Sequence, residues 1–171
     1  MGSNTEIRFR GFPVNLVGSL LQVGDAAPEF TSLIGLEQIT LAKTPSKPRL
    51  FSVIPSLDAG VCNMQVHRFN DELVKLGDSA AGYLFSLDLP FAQKRFCIAE
   101  KIHSVIPVSD CYNRSFGAAY AVLLEGLPMP LLTRAVFVLD SQAIIRHVEY
   151  VEELANQPDY EQALTVLKSL I

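Results

Sequence analysis

The stretch Arg49-Leu50-Phe51-Ser52-Val53-Ile54-Pro55-Ser56-Leu57-Asp58-Ala59-Gly60-Val61-Cys62 passes from a strand pattern to a helix pattern. Its first six residues are short, apolar and rich in β-formers, the signature of a buried strand. Beyond Cys62 the apolar residues are Val66, Phe69, Leu73 and Leu76, at steps of 4, 3, 4 and 3, which trace one face of a helix. The thiol of Cys62 therefore belongs in the first turn of that helix, on the side that packs against the protein, with Asp58 placed to cap it. Unpaired backbone N–H groups and the positive end of the helix dipole favour a thiolate there. A thiolate is the nucleophilic form of cysteine, so the pattern places a reactive sulfur at a strand-to-helix junction.

Outward from this junction the elements follow in regular order. Upstream, Glu6 to Arg10 and Pro13 to Leu16 form a hairpin around Gly11, and Glu29 to Ile34 pairs with Gln38 to Leu41 across Gly35. Downstream come a strand over Gly82 to Leu87 and a helix over Pro90 to Glu100, for which Asp88 and Pro90 are start signals. A short strand over Val105 to Val108 precedes a helix over Ser115 to Val122. Arg134 to Leu139 and Ala143 to Tyr150 make an antiparallel hairpin turning at Asp140-Ser141-Gln142, and Pro158 opens a closing helix. Alternating strands and helices with a terminal hairpin and helix define an α/β fold. Their order is that of a thioredoxin-like sandwich, a central mixed sheet flanked by helices, with an extra N-terminal β-hairpin over residues 1–17.

Composition sets the bounds. With 171 residues, 49% of them hydrophobic, the chain reads as a single domain over 1–171 with ample material for a core. Net charge is −4 and the Lys and Arg residues are scattered singly, which argues against a nucleic-acid surface. Apolar runs such as Asn15 to Val23 are too short and interrupted to cross a membrane, and Met1 to Glu6 has no secretory pattern. Three cysteines do not build a disulfide framework, so a cytoplasmic protein is expected. Their spacings of 35 and 14 contain no paired metal ligands.

Longer motifs carry a resemblance. Pro55 to Cys62, continued by Val66-His67-Arg68-Phe69-Asn70, resembles the active-site segment of the peroxiredoxins. Ser86-Leu87-Asp88-Leu89-Pro90-Phe91-Ala92-Gln93-Lys94-Arg95-Phe96-Cys97 is similar to a segment typical of one branch, the bacterial thiol peroxidases. Arg134 to Asp140 and Pro158 to Leu164 resemble that branch in the same order, so the match runs from about Phe12 to the C-terminus. The resemblance implies an enzyme that reduces hydrogen peroxide and alkyl hydroperoxides with no cofactor: no metal, flavin or haem. Cys62 would be the peroxidatic cysteine, oxidised to a sulfenic acid, and Cys97 the resolving cysteine that closes an intrachain disulfide. Arg134 would hold the Cys62 sulfur ionised and orient the peroxide, and Pro55 would shield the sulfur from water. Thioredoxin would recycle the disulfide, and the chain would be a homodimer.

One position departs from that pattern. Peroxiredoxins carry Thr, more rarely Ser, three residues before the reactive cysteine, and here the residue is Ala59. Alanine has no hydroxyl to bond the sulfur or the incoming peroxide. A hydrogen bond to a charged group is worth about 1.5–3 kcal/mol, and its loss from a transition state slows a step by about 10- to 150-fold. Impaired turnover is the expectation, with a redox-sensing binding module switched by the Cys62–Cys97 disulfide as the alternative.

The remaining candidates have plainer readings. Cys97 could fill core space with Phe91, Phe96 and Ile98, and Cys111 reads as structural or incidental. His67, His103 and His147 read as surface residues. Arg68 is a solvated charge or a second cation near the pocket. Arg134 opens a buried apolar strand, where an arginine needs a partner.

Overall fold

The computed structural model describes residues 6–171. Strand β5 (Arg49–Val53) is buried along its whole length, with the polar Arg49 and Ser52 buried beside its apolar residues. It is the third strand of a seven-stranded sheet ordered β10-β9-β5-β6-β7-β3-β4. The strands are β3 (Thr31–Ile34), β4 (Glu37–Thr40), β6 (Ala81–Ser86), β7 (Val105–Ser109), β9 (Ala135–Leu139) and β10 (Ile145–Tyr150). The central pairs β5–β6 and β6–β7 are parallel, and β9 lies antiparallel on β5. The sheet is therefore mixed, with helices supplying the parallel crossovers. This is the thioredoxin-like α/β arrangement that the element order predicts.

Side-chain alternation sorts the sheet residues into two layers. Phe51, Val53, Tyr83, Phe85, Ala135, Phe137 and Leu139 face one layer, with Phe30, Phe116 and Tyr120. Phe85 and Phe116 stack there at 3.7 Å between ring centroids. Leu50, Ile54, Leu84, Val136 and Val138 face the other, where helix α1 (Gly60–Leu76) contributes Cys62, Val66, Phe69 and Leu73. Helix α2 (Pro90–Ala99) adds Cys97, and α4 (Tyr160–Ser169) adds Ala163, Leu164 and Leu167. Both α1 and α4 present the apolar stripe that their sequence spacing requires.

The N-terminal hairpin is β1 (Ile7–Phe9) and β2 (Phe12–Leu16), and β2 also pairs with a two-residue strand β8 (Leu124–Glu125) that the sequence pattern does not reveal. Helix α3 covers only Ser115–Ala119, shorter than the expected Ser115 to Val122. Ala121 takes a left-handed conformation, φ 52°, and ends the helix. The closing helix starts at Tyr160, with Asp159 at the cap accepting from the Gln162 N–H at 3.0 Å. No helix among the described residues is long and apolar enough to cross a membrane.

Candidate active site

Cys62 is the third residue of α1 and has no exposed surface. It points inward because it opens the stripe that continues through Val66 and Phe69. The N-cap of α1 is Ala59, in extended conformation at φ −93° and ψ 131°, and no side chain caps the helix. Asp58, expected as the cap, is one residue too early; its own N–H donates to Ser56 Oγ at 3.2 Å and its side chain is exposed. Position 59 thus combines two vacancies: the hydroxyl missing three residues before the sulfur is also the missing helix cap.

Arg134 precedes β9 and shares the parity of Val136 and Val138, so it projects into the α1 layer. Its side chain is 1% exposed, and each edge of the guanidinium has a partner. Nη2 donates to Cys62 Sγ at 3.1 Å, Nη1 to Gln65 Oε1 at 2.8 Å, and Nε to the Leu154 carbonyl at 2.9 Å. Gln65 is itself buried and donates onward from Nε2 to Ser52 Oγ at 2.8 Å. A cation at hydrogen-bonding distance from a sulfur favours negative charge on it. The three-point clamp fixes where that charge would sit, because a planar guanidinium held at three nitrogens cannot rotate away.

Sequence reasoning identifies Arg134 but misses Gln65. The available signal is its place beside Val66 on the buried stripe of α1, where an amide must find partners. Arg68 makes no hydrogen bond to the sulfur. It bonds Glu72 at 2.7 Å and Glu161 at 2.6 Å, joining α1 to α4. Pro55 lies half-buried in the segment between β5 and α1. Ser56, the only hydroxyl in that segment, donates to Asp88 Oδ1 at 3.1 Å and so is committed elsewhere.

Cys97 is the eighth of ten residues in α2 and is 9% exposed. It belongs to the same apolar layer as Cys62, but both sulfurs are free. Burial pushes the Cys97 thiol up from its ordinary range. It lines an apolar groove of about 330 Å³ with Pro90, Gln93, Ile98, Ile102 and Pro107. Phe91 and Ile98, expected to serve the core, are 69% and 68% exposed, and only Phe96 packs partly inward.

Two histidine readings change. His147 is buried on β10, with no partner for Nε2 among the described residues, and desolvation lowers its pKa from the ordinary value. His67 is half-buried and donates from Nε2 to Glu100 at 2.9 Å, linking α1 to the end of α2. His103 is exposed, as expected. Cys111 is a free, half-buried thiol.

Residues 22–164 match the family model described as Redoxin. The chain is 47% identical over 167 residues to the thiol peroxidase of Bacillus subtilis (strain 168), covering 97% of this chain and 98% of that one. It is 44% identical over 165 residues to the thiol peroxidase of Streptococcus pneumoniae (strain ATCC BAA-255 / R6), covering 96% and 99%. A peroxiredoxin-like protein from Aquifex aeolicus has a similar crystal structure, with a TM-score of 0.90, 34% identity and 98% of each chain covered. The fold and these matches together place the chain in the redoxin family. Within that family it belongs to the thiol peroxidase branch of the peroxiredoxins.

Proposed function

We propose that this chain is a thiol peroxidase that reduces hydrogen peroxide and alkyl hydroperoxides through Cys62. The observation that carries the reading is the buried Arg134 Nη2 at 3.1 Å from Cys62 Sγ. The ionised sulfur attacks the distal oxygen of the hydroperoxide. An S–O bond forms, the O–O bond breaks, and the alcohol or water leaves with a proton, so that Cys62 becomes a sulfenic acid. Arg134 stabilises the negative charge as it moves from sulfur to oxygen.

Cys97 then attacks the sulfenic sulfur. The S–S bond forms, S–O breaks, and water leaves. Its raised pKa suits a second-step thiol that stays protonated until α2 opens. Recycling follows by thiol–disulfide exchange with thioredoxin, which supplies the two electrons. Pro55 screens the sulfur from water, and the chain pairs as a homodimer through apolar residues around the site, as its branch resemblance implies.

Ala59 makes the peroxide step slower than a hydroxyl-bearing site would allow. A Thr fits the extended backbone at 59, which β-branched residues favour. Stoichiometric peroxide should convert the protein to a faster band on a nonreducing gel, and Cys97→Ser should abolish that band while leaving a sulfenic acid on Cys62. The same band in Cys97→Ser protein would overturn the assignment of the second thiol. A redox-sensing module remains the second reading because Ala59 lacks the catalytic hydroxyl. It would show peroxide oxidation unchanged by Ala59→Thr and negligible turnover with thioredoxin.

A further inference from the structure

Asp88 has the wrong geometry for the cap its sequence position suggests. The N-cap of α2 is Leu89, and no side chain bonds that helix end. The Asp88 carboxylate instead turns toward the segment leading into Cys62. Oδ1 accepts from Ser56 Oγ at 3.1 Å, and Oδ2 accepts from the Leu57 N–H at 3.0 Å and from Ser86 Oγ at 2.7 Å. Among the described residues, these two contacts are the only side-chain hydrogen bonds that tie residues 55–58 to a distant part of the chain; the Ser56 carbonyl also accepts from the neighbouring Ala59 N–H at 3.2 Å.

A second set of bonds continues from Asp88 into α2. Ser86 Oγ, wholly buried, accepts from Gln93 Nε2 at 3.1 Å, and the same amide donates to the Val108 carbonyl at 3.0 Å. Gln93 is 1% exposed and stands one turn before Cys97 on the same face of α2. Ser109, paired with Ser86 across β6 and β7, donates from Oγ to the Asp88 carbonyl at 2.6 Å. The bonds therefore run without a gap from Gln93 through Ser86 and Asp88 to Ser56 and Leu57. Unwinding α2 around Cys97 withdraws the Gln93 amide, frees the Ser86 hydroxyl, and loosens the donors that orient the carboxylate.

We infer that Asp88 is a positioning residue that couples the helix of Cys97 to the segment presenting Cys62, so that the two loosen as one cooperative unit. In the redox cycle, which rests on the function proposed above, the relay keeps Cys62 in place until α2 opens and then releases both partners together. Coupling of this kind is reciprocal: whatever loosens the segment must also loosen the helix.

Hydrogen–deuterium exchange on the reduced full chain tests this without peroxide. Gln93→Met removes the amide while keeping its length, and Gln93 makes no hydrogen bond to residues 55–62 among the described residues. Residues 55–62 and 90–99 should both exchange roughly tenfold faster, the size of one lost bond to a polar network, with α4 unchanged. Ser56→Ala perturbs the other end at a half-buried site and should raise exchange in α2 by about threefold. A response confined to the substituted segment, or one shared equally by α4, would overturn the coupling. Failure of the chemistry would show separately, as no Cys62–Cys97 disulfide after peroxide in the unsubstituted protein. Where that disulfide forms, Gln93→Met should speed its closure once Cys62 is oxidised.

Discussion

Helix α1 is braced to α4 by charges. Arg68 reaches Glu161, and Lys168 reaches the buried Glu72, which Lys75 and Arg68 also contact. Helix α2 has no ion pair within residues 90–99 among those described, and it leaves Phe91 and Ile98 in solvent. The first helix holds a sulfur against a clamped guanidinium; the second holds one in apolar surroundings that keep it neutral. A nucleophile needs fixed geometry toward its substrate, whereas a thiol that must travel needs a helix with few anchors. The contrast is the one that the proposed function asks of its two sulfurs.

The largest test of the contrast is Arg134→Met. Removing the charged donor should slow oxidation of Cys62 by peroxide by on the order of 10²-fold, as a charge-assisted bond at the reacting atom implies. Stopped-flow measurement would show it, and alkylation of Cys97 should not change. If both thiols respond equally, the two environments are not distinct. Next in size is Ala59→Thr, expected to raise the same rate by about 10- to 150-fold. Because position 59 is also the helix cap, the substitution should add about 1 kcal/mol of stability in urea unfolding. A rate gain without the stability gain would mean that the new hydroxyl bonds only the substrate.

The brace itself is read by acid. Lys75, Arg68 and Lys168 hold the Glu72 carboxyl at about 2, against an ordinary value of 4.5. Its contribution is present in full above pH 4.5 and is lost as pH falls through about 2. Glu72→Gln should therefore lower the urea midpoint at pH 7, by a margin that shrinks as pH falls through about 2, loosening α1 rather than α2. The smallest effect is expected at His147, whose pKa burial lowers from 6.5. The unfolded chain takes up this proton first, so stability is present above pH 6.5 and declines below it. His147→Leu should flatten the stability profile where it declines below pH 6.5.

Much of this was legible in the chain. The apolar run at Leu50 and the helical stripe from Cys62 each follow a short-range period, and an arginine opening a buried strand announces a partner. Gln65, Asp88 and His147 were not legible, for one physical reason. Each makes its telling contact, or lacks one, through residues brought close only by the sheet: Gln65 meets Arg134 across 69 positions, and Asp88 meets Ser56 across 32. Local rules read Asp88 as a cap because aspartate before a proline-opened helix usually is one. The fold gave its carboxylate better donors elsewhere. Likewise Phe91 and Ile98 were assigned to the core because residue type cannot say which face of a short helix meets the sheet.

The antiparallel register that sets Val53 opposite Ala135 acts as a ruler for the whole centre. Slipping β9 by one residue would turn Arg134 toward Phe51 and Phe116 and bury its charge among aromatic rings, while Ala135 would face the sulfur. No single insertion inside β5 or β9 is therefore neutral.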